Sequence, residues 1–163
     1  MSSGIIVRRY DYPVIELAPM TVRFDRTVEE MIAGLPNNNP DITSAHFAEC
    51  RRGCAGDEKV QLFLAKPLHD REHMPMEEVL RRLDKTGFAP EDLPHLASLR
   101  DHADELWAAG IGFVGSIGSS SIWEGSDGSY APYLILTPED RGFHLHWQEG
   151  DWGGPVWFVV RPR

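Results

Sequence analysis

The residues best equipped for chemistry in this chain are its histidines and its cysteine pair. Cys50-x3-Cys54-x14-His69-x3-His73 sets four soft or borderline donors in an order close to a two-cysteine, two-histidine zinc finger. The tetrahedral metal of such a finger takes thiolate and imidazole. The surroundings do not supply the finger's hairpin and helix. The cysteines close a helical stretch, a strand-like segment follows, and the histidines fall between Pro67 and Pro75. His144-x-His146 is the second metal candidate. On a strand, Phe143, Leu145 and Trp147 would share the buried face, leaving both imidazoles with Gln148 on an open one. Glu149 or Asp151 could add oxygen there, but no third ligand stands at a convincing spacing. The plainer alternative is two partly exposed histidines, and the sequence implies no cofactor.

Other strings are weaker. Gly110-Ile-Gly112-Phe-Val-Gly115 spells a dinucleotide fingerprint, but its mechanism needs a strand before it and a helix N-terminus after it. Here a helix precedes and a strand follows. Ser116 and Ser119–Ser121 lie in a small-residue segment with no base to activate them. Asp101, His102, Asp104 and Glu105 read as the wet face of an amphipathic helix.

Topology offers a site that no motif does. In a meander of four strands, the first and third connections lie at the same end of the sheet. The first carries Trp123, Glu124 and Asp127; the third carries Glu149, Asp151 and Trp152. Large aromatics in glycine-rich loops either fold back over the core or meet a partner. Aromatic anchors beside carboxylates suit a cationic or basic, partly apolar surface.

The elements that must position these residues follow from periodicity. Met20–Phe24 alternates as a half-buried strand. Thr27-Val-Glu-Glu30 has capping-box spacing for a helix ending at Gly34. Asp41 is placed to cap a second helix through Cys50, burying Ile42, Ala45 and Phe47. Lys59–Lys66 reads as one strand. Met76, Val79, Leu80 and Leu83 mark a helix opened by Pro75 and closed by Gly87. A broken helical stretch over Glu91–Ala109 would bury Leu96, Leu99, Ala103, Leu106 and Trp107. Ile111–Ile117, Tyr130–Leu136, Gly142–Gln148 and Pro155–Arg161 read as strands parted by turn residues. The predicted class is α+β: a C-terminal four-stranded antiparallel meander, one or two N-terminal strands, and three to four helices on one face.

The 163 residues suit a single domain, mixed strand and helix over about 1–110 and antiparallel strands over about 111–163. With 16 basic and 25 acidic side chains the formal charge is −9. That excess argues against direct nucleic-acid binding, which draws on lysine and arginine. It is greatest over 57–105, as expected of solvated helix faces. No apolar run reaches the ~18 residues that span a bilayer, so no membrane partner is expected. The first residues lack a signal peptide's order of charge and apolar run. Cys50 and Cys54 then read as free thiols in a reducing cytoplasm.

Several segments together resemble a family of small uncharacterised bacterial proteins. They are Val28–Gly34, Asp41–Thr43 with His46-Phe47, Val79–Leu93, Val114–Trp123, Pro132–Leu134, and the pattern W-x5-W-x5-FVVRPR from Trp147. The resemblance runs from about Met20 onward and implies one intact domain, with no activity and no site residues. The chain departs from that pattern at His144, His146, Cys50 and Cys54, so a metal site there would be peculiar to it.

The sequence therefore points to a small acidic cytoplasmic protein that acts as a non-catalytic protein-binding module of inhibitor, immunity or regulatory type. Its expected partner is a protein with a basic surface, met through the Trp123/Trp152 end of the sheet. The alternative is a metal-dependent or small-molecule enzyme on the open face around His144 and His146. A third reading makes the exposed aromatics a self-association surface.

Overall fold

The computed structural model describes residues 6–8, 11–47 and 56–163. The strands are β1 (Ile6–Arg8), β2 (Val14–Glu16), β3 (Met20–Arg23), β4 (Asp57–Val60), β5 (Phe63–Ala65), β6 (His73–Met74), β7 (Phe88–Pro90), β8 (Phe113–Gly115), β9 (Trp123–Gly125), β10 (Gly128–Ile135), β11 (Gly142–Trp147), β12 (Trp152–Gly153) and β13 (Val156–Pro162). The helices are α1 (Val28–Ile32), α2 (Ser44–Phe47), α3 (Met76–Lys85), α4 (Leu93–Ser98) and α5 (Ala103–Ala108), with a 3₁₀ turn, Leu99–His102, joining the last two. The class is α+β, as expected. Among the described residues no helix is long and apolar enough to cross a membrane.

Among the described residues nine strands form the main sheet, in the order β1-β2-β5-β13-β8-β10-β11, with β7 beside β13 and β9 beside β10. β8, β10 and β11 pair antiparallel as expected. The last strand does not complete the meander. β13 lies on the far side of β8 and runs parallel to it, Trp157 opposite Val114. The physical reason is the run Phe158-Val159-Val160, apolar on both faces and fully buried. Such a strand belongs at the centre of a sheet, not at its edge. The segment 148–155 must therefore cross the sheet to reach β13, and Trp152 rides on that crossing.

Alternation along the central strands separates two cores. Ile15, Leu64, Val159, Val114, Leu134 and Phe143 face one way and pack with Val28, Met31, Leu93, Leu96 and Leu106. Val14, Phe63, Ala65, Phe158 and Val160 face the other way, with Val79 and Leu83 of α3. The helices thus cover both faces, not the single face expected, because strands apolar on both sides leave neither side to water.

Local signals held where they were strongest. In α1, Thr27 accepts from Glu30 N–H while the Glu30 carboxylate accepts from Thr27 N–H. Gly87, at φ +89°, follows the last turn of α3. Others shifted. α2 begins at Ser44, not Asp41, with the Ser44 N–H bonded to Glu29 and Ala45 exposed. The expected strand over Lys59–Lys66 is broken into β4 and β5. Trp107, expected in the core, is 42% exposed.

Candidate functional site

Three strands bring aromatic side chains into one row. Tyr130 on β10 pairs with Trp123 on β9 and with Trp147 on β11. Residues directly opposite on neighbouring strands project to the same face, so the three rings form a cross-strand ladder. The Trp123 and Tyr130 ring centres lie 5.3 Å apart at 30°. His46 of α2 stacks on Trp123 at 3.8 Å and 12°, and its Nδ1–H donates to the Asp41 carbonyl at 2.7 Å. Trp123 packs partly against the first core, whereas Trp147 is 48% exposed.

The backbone beside the ladder is bare. Gly125 and Gly128 are opposite one another in the next rung. Gly128 has φ +139°, and a Cβ there would come within 2.5 Å of the Trp147 indole nitrogen. The indole therefore lies down over glycine backbone, and only glycine leaves it that room. A carboxylate borders the rings. Tyr130 OH donates to Asp127 Oδ2 at 2.9 Å, which raises the phenol's pKa, since the bond favours the protonated form. The intervening rung, Ser129 and Glu124, projects to the opposite face, where Ser129 Oγ donates to the Glu124 carboxylate. The result is a partly exposed aromatic surface edged by Asp127.

Of the residues singled out in the sequence, Trp123 and Asp127 meet at this ladder, whereas Glu124 projects to the opposite face, where it borders a cleft beside α3. Glu149 and Asp151 are exposed on the turn that follows Trp147. Trp152 does not join them. It is 1% exposed and lies on the opposite face, over β8, where a Cβ on Gly115 would touch both it and Phe158. The parallel crossing carries it there. Sequence reasoning missed Trp147, Tyr130 and His46. The signal for Trp147 was the glycine pair across from its strand end, which only a pairing register reveals.

The face around His144 and His146 is likewise not open. His144 stands opposite Tyr133 and His146 opposite Ala131. Trp152 stacks on His146 at 3.9 Å and 10° and meets Tyr133 edge-on at 6.3 Å. His146 Nε2–H donates to the Asp151 carbonyl at 3.1 Å, and burial pulls the imidazole pKa down. His144 Nε2, His146 Nδ1, Gln148 Oε1 and Trp152 Nε1 are buried there with no hydrogen-bond partner among the described residues. Among the described residues no three of His, Cys, Asp or Glu gather as a metal set. Of the other proposed ligands, His69 and His73 are exposed, and His69 N–H is bonded to Glu72. Cys50 and Cys54 lie outside the described residues.

A second polar cluster also escaped the sequence reading. Glu91, 4% exposed, takes Arg161 on one carboxylate oxygen, and His95 Nε2 lies 3.3 Å from the other. Burial lowers the His95 pKa to about 4, and its Nδ1 accepts from the Asp92 N–H at 3.4 Å. Burial raises the pKa of both Glu91 and Asp92. Asp92 borders a cleft of about 790 Å³ beside α3, together with Met76, Leu80 and Arg161. Glu91, Asp92 and His95 all have protein partners in this cluster, which also caps α4. These bonds account for it structurally.

No protein-family model, curated protein or solved structure matches this chain.

Proposed function

We propose that this protein is a non-catalytic binding module of inhibitor, immunity or regulatory type. It docks a basic segment of a protein partner in the cytoplasm. The observation that carries the reading is the Trp123–Tyr130–Trp147 row, half open to solvent and edged by Asp127. Aromatic faces attract cations through their quadrupole, and a nearby carboxylate adds Coulomb attraction. A chain charge of −9 favours encounter with a basic partner and disfavours nucleic acid. Exposed tryptophan is also the side chain most often found at the energetic centre of an interface.

The test is capture from a lysate of the protein's own source, with Trp147→Ala beside the wild type. The expected result is a partner whose bound segment is rich in lysine or arginine. Trp147→Ala should weaken its affinity by ~30-fold, the ~2 kcal/mol of an interface hot spot. Equal retention of every bound protein by Trp147→Ala would remove the ladder from the function.

A further inference from the structure

We infer that the ladder selects arginine over lysine, with Asp127 as the residue that sets the preference; this rests on the ladder being the docking site. The geometry favours a planar cation. The Gly125–Gly128 rung has no side chains; the Trp147 indole covers Gly128, so the bare backbone beside the rings is that of Gly125. Two groups stand over it. A Cβ built on Gly125 would meet Asp127 Oδ1 at 3.4 Å and the Tyr130 ring at 3.5 Å. The carboxylate and the ring edge therefore stand side by side over the same point.

The carboxylate is also oriented. Its Oδ2 already accepts from Tyr130 OH at 2.9 Å, which ties the group to the ring and leaves Oδ1 for a ligand. Oδ2 keeps a second lone pair as well. A guanidinium laid flat on the aromatic row can direct two N–H groups in its own plane at such a carboxylate. An ammonium is a compact, strongly hydrated point charge. It gains the Coulomb attraction but neither the ring stacking nor the fork. Glu124, paired with Ser129 on the intervening rung, projects to the opposite face and takes no part in that geometry.

The experiment uses the full chain and two fluorescent probes, a peptide of alternating arginine and glycine and its lysine counterpart, at one ionic strength. The arginine peptide should bind about tenfold tighter. Asp127→Asn keeps an oxygen for Tyr130 OH but removes the charge, and should bring the two affinities within about threefold, chiefly by weakening arginine. Trp147→Ala should weaken both peptides. Equal affinities of the two peptides for the wild type would overturn the arginine preference while leaving a basic docking surface in place. An arginine preference unchanged in Asp127→Asn would remove Asp127 from it. Failure of both peptides to bind, or binding indifferent to Trp147→Ala, would overturn the docking reading itself.

Discussion

The two faces of β11 carry aromatic clusters of similar composition and opposite fate. On one face Trp147 completes a row with Tyr130 and Trp123 and stays half exposed. On the other, three residues and one residue earlier along the strand, His144 and His146 meet Tyr133, and Trp152 stacks over His146. The difference lies in the chain path. A crossing segment covers the histidine face, because the last strand must enter the sheet beside β8. On the ladder face α2 covers the Trp123 end through His46, and the Trp147 end is left half exposed. Chemistry-bearing side chains therefore became packing on one face, while plain aromatics became surface on the other.

That contrast breaks most visibly at Trp152. Trp152→Ala removes the ring that joins His146, Tyr133 and Phe158. It should cost ~3–5 kcal/mol, as truncation of large core side chains does. Urea unfolding followed by circular dichroism would measure it, and a loss below ~1 kcal/mol would mean the crossing is not sealed as described.

Acid should open the sealed face next. Burial holds the folded pKa of His146 below its unfolded value. As pH falls through ~6.5 the unfolded chain takes up a proton that the folded one refuses, so stability is lost. The sign is the same at His95 on the other side of the sheet, where the folded value is about 4 and the loss extends down to that pH. At full size the His95 contribution is ~3 kcal/mol, opposed by the raised pKa of Glu91 beside it. Unfolding midpoints from pH 7 to 4 should fall for the wild type. They should fall less for His146→Gln and for His95→Gln, each compared with its own value at pH 7. Parallel curves for all three would mean that neither imidazole is buried neutral.

Trp152→Phe sharpens the comparison further. It keeps a ring over His146 but removes a buried N–H that has no acceptor. Loss of volume destabilises and loss of the unsatisfied donor stabilises, so the net should lie within ~1 kcal/mol. A cost above ~2 kcal/mol would show that the N–H is satisfied, for instance by a buried water.

The sequence was legible where the signal was local. The alternation of Phe143, Leu145 and Trp147 against His144 and His146, the capping box at Thr27 and the helix after Pro75 all depend on neighbours within a turn or a strand. The position of Val156–Pro162 does not. Its apolar run says that both faces are buried, but the choice between β11 and β8 as neighbour is made by residues far away in sequence. Trp152 inherits that uncertainty: flanked by glycines it resembles a loop residue, and its burial depends on Gly115 and Met74 across the sheet. Of the candidate site, Trp123 and Asp127 were within reach of sequence reasoning. Trp147 was assigned to the core because its strand alternates correctly, although the strand outruns the helices that cover that face.

The smallest effect is the one that separates surface from site. Trp147 and Trp107 are both exposed large apolar side chains, at 48% and 42%. Trp147 is in line with Trp123 and Tyr130, whereas Trp107 sits on α5 beside Gly112, near the far end of β10. Trp147→Ala and Trp107→Ala should each change stability by less than ~0.5 kcal/mol, since neither ring is enclosed. Their binding should diverge: Trp107→Ala keeps the wild-type affinity for the arginine peptide, and Trp147→Ala does not. If Trp107→Ala weakened binding equally, exposed apolar area alone would account for the interaction. The ordered row of rings and its carboxylate would then have no part in it.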